Sequence, residues 1–381
     1  MSEKKYHIGK NGPAPCNAHP EKPGGRACRF GEDRHGTEAE LTVLWELEQE
    51  AEHSDFISGV SKAPALSEEH QRLRDGTLAA LRDPARYIPL PGAIEDGVSW
   101  KAKHIAIAAA LSRESLTELG YLPVRSKDRS FDHEGFSSVE RLQLEDGSWS
   151  YYKSMQENSL SEWCFEDEYD CSSVTAAIAE VNAYRLSKLM GPGFDGMVPE
   201  TSFRDHNGSL GTIQREVPED EAVSRDFQLS KELREDYRKA AIFDFVMGNV
   251  DRHDENYLFG VETDSPGSKR SRIRLIDNSF GFTRNGSHAN YNASDFASNR
   301  SIADPDDLDG RGYRIPSHEL KLRADERDAL ERAKTGVEGW LKAGTIEESR
   351  GKAVFSRIDF LLGERKLSSF YEWYDSDSPW S

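Results

Sequence analysis

The stretch of this sequence most suited to chemistry is "GNVDRHDENYLFG", residues 248–260, a polar run between two apolar ones. Its Asp251 and Asn256 stand five positions apart. Phosphoryl transfer needs a carboxylate that accepts the proton of the attacking hydroxyl and, on the same turn, a side-chain oxygen that holds Mg²⁺. The spacing therefore predicts a phosphoryl-transfer loop. The competing interpretation is an acidic, solvated surface loop.

A second carboxylate follows at a strand end. Asp277 stands after the apolar run "RIRLI". Mg²⁺ takes oxygen ligands, commonly one or two carboxylates together with substrate phosphates. We therefore expect Asn256 and Asp277 to be the metal ligands, with Mg²⁺ as the cation and Mn²⁺ as its substitute.

A positively charged side chain that binds the phosphates is expected in the sequence before this loop. Asp146-Gly147 signals a hairpin, and on its second strand Lys153 alternates onto the face of Trp149 and Tyr151. Glu180 lies on the apolar stripe of the next predicted helix, so we expect it to pair with Lys153, which would hold ATP. Considered alone, each residue has another interpretation. Lys153 is also consistent with a snorkelling lysine, whose aliphatic chain lies on apolar surface while its ammonium group stays in water. Glu180 is also consistent with a half-exposed residue on the helix.

The elements that must position these residues predict an α+β, two-lobed fold of protein-kinase-like type. We expect a flexible leader at 1–37, a helical accessory unit at 38–120, a β-rich small lobe with one long helix at 121–217, and a mostly helical large lobe at 218–381. Predicted helices include one starting after Ser67, one ending at Gly120 in "RESLTELG", and one over 231–247. A short turn, "HEGFSSV", could place Gly135, Ser137 and Ser138 over phosphates.

Composition excludes several classes of function. The chain of 381 residues carries 68 acidic and 49 basic residues, a formal charge of −19, which opposes binding to nucleic acid and to anionic lipid. No apolar run is long enough to span a membrane. Four cysteines indicate a reducing compartment, so we expect a cytoplasmic protein. Cys16, His19, Cys28 and His35 could ligate zinc, but their spacing favours an unstructured leader.

The order Asp-Arg-His followed by Asn resembles the D-R-H-x-x-N loop of phosphatidylinositol 3- and 4-kinases, and the N-x-D-D-H-x-x-N loop of HipA-like kinases. "LIDNSFGF" resembles the metal-binding segment of type II phosphatidylinositol 4-kinases. "GTIQREVPED" resembles the hinge strand of the same superfamily. In ordinary protein kinases the His and Arg precede the Asp, whereas here they follow it.

The resemblance implies roles for the residues already named. Asp251 would be the base, Asn256 and Asp277 the magnesium ligands, Lys153 the ATP lysine and Glu180 its partner. His253 would support the loop or assist the transferring phosphate. Adenine would be held by hinge backbone groups between Gln214 and Val217, including Arg215. HipA-like kinases can autophosphorylate a serine in the phosphate loop, so Ser137 and Ser138 are candidates, although this loop has the single glycine Gly135.

The expected activity is an ATP- and Mg²⁺-dependent kinase acting on serine or threonine of a protein, with that protein or a regulatory protein as partner. Three alternatives stay open: a kinase of a small molecule or inositol lipid, an AMP transferase that uses the nucleotide in the reverse orientation, and a pseudokinase scaffold. A basic, apolar surface would favour the lipid kinase. Transfer of an α-phosphate label would identify AMP transfer, and loss of one of the five site residues would favour the scaffold.

Overall fold

A computed structural model describes residues 66–83, 106–111, 116–131, 139–155, 173–219, 231–249, 251–252, 254–265, 268–283 and 321–364, and the backbone of 6–9, 12–15 and 35–36. Four of the predicted site residues lie outside the described residues: Gly135, Ser137, Ser138 and His253. Three of the four candidate zinc ligands lie outside them as well, namely Cys16, His19 and Cys28.

The small lobe is built on an antiparallel sheet of five strands in the order β4-β5-β6-β8-β7. The strands are β4 (Val124–Lys127), β5 (Val139–Leu144), β6 (Trp149–Ser154), β7 (Thr201–His206) and β8 (Ser209–Arg215), and the long helix α2 spans Ser173–Met190. The predicted hairpin is confirmed, since β5 and β6 pair across a turn in which Gly147 has φ of 84°. Gly147 suits this turn because a residue without Cβ adopts positive φ at no steric cost.

Both faces of this sheet are covered. Helix α1 (Glu68–Leu81) and the helical residues 106–111 pack with α2 on one face, in an apolar cluster that includes Leu81 and Val181. A second cluster on the other face joins Leu119 to Tyr152 and Ile213. Helix α1 begins after Ser67, as predicted from the sequence, and Ser67 caps it by accepting a hydrogen bond from the His70 backbone N–H.

The large lobe is mostly helical around one apolar core. Its elements are α3 (Lys231–Met247), a 3₁₀ turn (Asp254–Asn256), the hairpin strands β9 (Tyr257–Ser265) and β10 (Ser268–Leu275), α4 (Ala324–Lys342) and α5 (Glu348–Glu364). The predicted helix 231–247 is confirmed. The α+β architecture predicted from the sequence, with a β-rich part and a mostly helical part, is therefore present, and the polar loop lies between α3 and β9.

Three short strands are described within the predicted leader: β1 (Tyr6–Gly9) pairs with β2 (Gly12–Pro15) and with β3 (His35–Gly36).

The helix predicted over "RESLTELG" is wrong for residues 116–120, the part of this segment that the structure describes. Thr117 is extended and only Glu118–Gly120 form a 3₁₀ turn. Tertiary contact overrides local propensity here. The Thr117 N–H donates to Ser202 Oγ at 3.2 Å, and a Cβ on Gly120 would lie 2.6 Å from the Phe203 carbonyl oxygen.

Candidate active site

The site is organised around the ammonium group of Lys153. Its Nζ lies 3.1 Å from Glu180 Oε1 and 3.0 Å from Asp277 Oδ1. Strand β6, helix α2 and the end of β10 thus meet at one point. The Glu180 side chain is 5% exposed and that of Lys153 is 29% exposed, so water screens this contact only in part. The pairing of Lys153 with Glu180 expected from strand alternation and the helical stripe is present.

Lys153 and Asp277 stabilise each other's charged forms. Burial alone would lower the pKa of Lys153, but Asp277 and Glu180 outweigh it and raise that pKa above its ordinary value. Burial would raise the pKa of Asp277, yet Lys153 and a hydrogen bond from Ser279 lower it to about 2. Lysine and aspartate are therefore both charged across the physiological range.

Asp277 adopts an unusual backbone conformation. Its φ is 46°, in the left-handed region that non-glycine residues seldom enter, although aspartate tolerates it better than most. Ser279 Oγ donates to Asp277 Oδ1 at 2.8 Å. Such conformations are found at functional sites, where the surrounding structure holds them. Here the conformation turns the carboxylate at the end of β10 toward Lys153.

The side chain that ties the polar loop together is Arg252, which is fully buried. Its Nε and one Nη donate to the two carboxylate oxygens of Asp244 on α3, at 2.9 and 3.2 Å. The guanidinium also donates to the carbonyl oxygens of Asn256 and Ile276, the latter at 2.6 Å, and to Asn278 Oδ1 at 2.6 Å. Arg252 therefore joins helix α3, the loop, the backbone of Ile276 before Asp277 and the side chain of Asn278 after it.

Sequence reasoning missed Asp244 and Asn278. One signal was available for Asp244, a single charge within the apolar run "AIFDFVM". A fully buried carboxylate requires a charged or hydrogen-bonding partner, and Arg252 supplies it. Burial raises the pKa of Asp244 despite the opposing effect of Arg252.

The loop itself is held by backbone contacts. The N–H groups of Gly248 and Asn249 donate to the carbonyl oxygen of Asp244 at 2.7 and 3.1 Å, which ends α3. Asn249 Oδ1 accepts the backbone N–H of Asp251 at 2.9 Å. Asn256 Nδ2 donates to the carbonyl oxygen of Asp251 at 2.7 Å, which fixes the plane of its amide. Asp251 itself is half-buried.

Asn256 and Asp277 fit a magnesium site. The Ile276 N–H donates to the carbonyl oxygen of Asn256 at 3.1 Å, so the two candidate ligands lie on neighbouring backbone segments. The side chains offer an amide and a carboxylate oxygen. No cluster of three His, Cys, Asp or Glu side chains suited to a metal occurs in the part of the chain that the structure describes. A cation here would therefore need further oxygen atoms from phosphate or water, which is the usual coordination of Mg²⁺.

The three hinge residues lie in different environments. Gln214 Nε2 donates to Thr201 Oγ1 at 2.9 Å. The Arg215 backbone N–H donates to the Glu200 carbonyl, and its guanidinium bonds Asp146, so Arg215 offers neither group to a nucleotide. The expected hinge role of Arg215, which involves backbone groups, stays a prediction. Among described residues, no backbone hydrogen bond engages Val217.

No protein-family model matches this sequence, and no curated protein matches it. In solved structures the chain is similar to the proinflammatory kinase CtkA of Helicobacter pylori, with 12% identity, 65% of this chain and 94% of that chain covered, and a TM-score of 0.32. It is also similar to the Golgi casein kinase with Mn and ADP bound (12%, 87% and 91%, TM-score 0.40).

A further similarity is to the Rio2 kinase of Chaetomium thermophilum, with 14% identity, 79% of this chain and 99% of that chain covered, and a TM-score of 0.35. All three proteins are kinases. No described helix is long and apolar enough to cross a membrane.

Proposed function

We propose that this protein is a kinase that transfers the γ-phosphate of ATP, with Mg²⁺, to a hydroxyl group, in the first place a serine or threonine of a protein. One observation carries the proposal. Lys153 Nζ contacts both Glu180, at 3.1 Å, and Asp277, at 3.0 Å. In kinases, the lysine–glutamate pair and the metal-binding aspartate must both be in place for activity. The order of residues in the loop supports membership of the HipA-like or phosphatidylinositol-kinase-like branch.

Each side chain then has a definite task. Asn256 and Asp277 would hold Mg²⁺, and the bound cation would neutralise charge on the phosphates. Lys153 would bind the phosphate oxygens, and Glu180 would orient it. Asp251 would accept the proton of the attacking hydroxyl as the new P–O bond forms and the bond to the β-phosphate breaks, giving ADP and a phosphoester.

The charge of the chain favours one class of acceptor. A formal charge of −19 attracts basic proteins and repels anionic lipid surfaces. We therefore propose a basic protein segment as the acceptor and a partner protein in place of a membrane. The serines Ser137 and Ser138 remain proposed sites of autophosphorylation.

Labelled ATP tests the proposal. The purified chain is incubated with Mg²⁺, myelin basic protein and ATP labelled at either the γ- or the α-phosphate, and the products are located by mass spectrometry. We expect the γ-label alone to be transferred. Asp251→Asn and Asp277→Asn should each lower the rate at least about 100-fold. The control is Glu255→Gln, which removes an equal charge from an exposed position of the same loop and should keep the rate.

Each alternative predicts a different result. Transfer of the α-label would identify an AMP transferase. Binding of ATP without transfer of either label would identify a scaffold. Phosphorylation of phosphoinositide vesicles in preference to protein would identify a lipid kinase. An active Asp277→Asn variant would refute the assignment of Asp277.

A further inference from the structure

Helix α2 carries Glu180 on one side, and its opposite side packs against helix α4 of the large lobe. The Glu180 carboxylate lies 3.1 Å from Lys153 Nζ. At about 3.6 residues per turn, Arg185 and Leu189 lie roughly 140° and 180° around the helix from Glu180. Both of these residues contact α4. Helix α2 is therefore held between strand β6, through Glu180, and α4 on its far side.

The contacts run along the two helices in opposite directions. Near the start of α4, Arg332 Nε and Nη2 donate to the carbonyl oxygen of Met190, the last residue of α2, at 3.1 and 2.5 Å. Near the end of α4, the guanidinium of Arg185 lies 4.4 Å from the centroid of the buried Trp340 ring. The two helices are thus joined over more than two turns of each.

The closest approach between these contacts is made by a glycine. A Cβ on Gly336 of α4 would lie 2.3 Å from Leu189 Cδ1, far below the separation at which two carbon atoms attract. Glycine destabilises the middle of a helix relative to alanine, so its place here is explained by the close packing. Gly339, one turn later on α4, has no described atom within 4 Å of the same position. Of these two glycines, Gly336 is therefore the one that meets α2.

Helix α4 is fixed in turn to the helix that precedes the polar loop. Arg238 of α3 forms an ion pair with Glu326 of α4, and both side chains are almost fully buried. Arg238 Nη2 donates to Glu326 Oε2 at 2.7 Å. Helix α3 ends at the loop that carries Asp251. Helix α4 therefore connects the helix of Glu180 to the loop of Asp251.

We propose that Gly336 and Leu189 are positioning residues whose contact sets the spacing of α2 and α4 and thereby keeps Glu180 paired with Lys153. The inference rests on the proposed function and adds to it two residues that lie outside the proposed site. A misplacement of about 1 Å in a reacting arrangement lowers a rate on the order of 100-fold. A larger side chain between the two helices should therefore lower the rate although every group of the site is still present.

Two leucine substitutions on the same helix test this spacing. Gly336→Leu places a side chain against Leu189, whereas Gly339→Leu places the same side chain in open space. We expect Gly336→Leu to lower kcat for transfer of γ-label to myelin basic protein on the order of 100-fold, and Gly339→Leu to keep the wild-type kcat. The double variant Gly336→Leu/Leu189→Ala moves the bulk from one helix to the other and should regain most of the rate, because changes that conserve volume are tolerated best.

A double-mutant cycle distinguishes an effect through Glu180 from a general packing defect. Glu180→Gln removes the charge that pairs with Lys153. In that background Gly336→Leu should lower the rate little further, because the pair that it disturbs is already lost. Independent effects would instead multiply. The proposal is overturned if the two losses multiply in full, if Gly336→Leu keeps the wild-type rate, or if Leu189→Ala restores nothing.

Hydrogen exchange of the amides of residues 173–190 follows α2 without nucleotide or turnover. We expect faster exchange in Gly336→Leu, and wild-type exchange in Gly339→Leu and in the double variant with Leu189→Ala. Equal exchange in all four proteins would overturn the proposal. A wild type that transfers no label would refute the proposed function, and the exchange of α2 would still decide whether α4 holds this helix.

Discussion

Replacing Arg252 with methionine should separate the stability of this fold from the geometry of its site. The side chain is fully buried, and it bonds both oxygens of the fully buried Asp244. Breaking a buried ion pair by removing one partner costs about 3–5 kcal/mol, since the remaining charge is left without compensation. Arg252→Met should therefore raise the unfolding equilibrium constant by a factor of roughly 10² to 10⁴.

The double variant Arg252→Met/Asp244→Leu makes the prediction specific. Replacing a buried ion pair by apolar residues of similar volume is often neutral or stabilising, so the double variant should regain most of the lost stability. It should not regain activity. The carbonyl oxygens of Asn256 and Ile276 would still lack the donor that joins the loop to the backbone just before Asp277.

Urea denaturation followed by circular dichroism gives the stabilities, and transfer of γ-label with a titration of Mg²⁺ gives the activity. We expect the double variant to need more Mg²⁺ for half-maximal rate, because its two candidate ligands are no longer held together. The reasoning is refuted if Arg252→Met is within about 1 kcal/mol of the wild type, or if the double variant recovers full activity at the wild-type Mg²⁺ concentration.

Two further predictions concern charge and packing. The folded state lowers the pKa of Asp277 from 3.8 to about 2, so its contribution to stability is present above the unfolded value and is lost as pH falls from about 4 to 2. We therefore compare the unfolding free energies of the wild type and Asp277→Asn, both without metal. The difference between them should be constant from pH 8 to 5. A change in that range would contradict the contact with Lys153. Leu81→Ala, at a fully buried position under α2, should cost about 2–5 kcal/mol and lower the rate, because α2 carries Glu180. The control Leu66→Ala, at a position that is 37% exposed, should lower the unfolding free energy little. Equal decreases in melting temperature for the two leucine variants would refute the packing argument.

Local patterns predicted the parts of the site that lie on regular elements. Alternation along β6 placed Lys153 on one face, and the helical stripe of α2 placed Glu180 toward it. Helix α3 was predicted with its observed bounds because strong apolar periodicity meets a glycine at its end.

The remaining parts depend on contacts between residues distant in the sequence. The bonds of Arg252 to the backbone of Ile276 and to Asn278 exist only once β10 has packed beside the loop. Likewise, the bond of Tyr151 to Glu216 links residues 65 positions apart. No periodicity within a single segment encodes such pairings.

The cover that α1 forms over the small lobe has a consequence for the order in which the chain can fold. Leu81 belongs to the same apolar cluster as Val174, Phe203 and Leu210, which follow it by up to 129 residues. At ordinary rates of translation this interval lasts on the order of ten seconds. During that time the apolar side of α1 has been synthesised but its partners have not. Binding of a chaperone to the emerging residues 66–83 would shield that side until β8 leaves the ribosome.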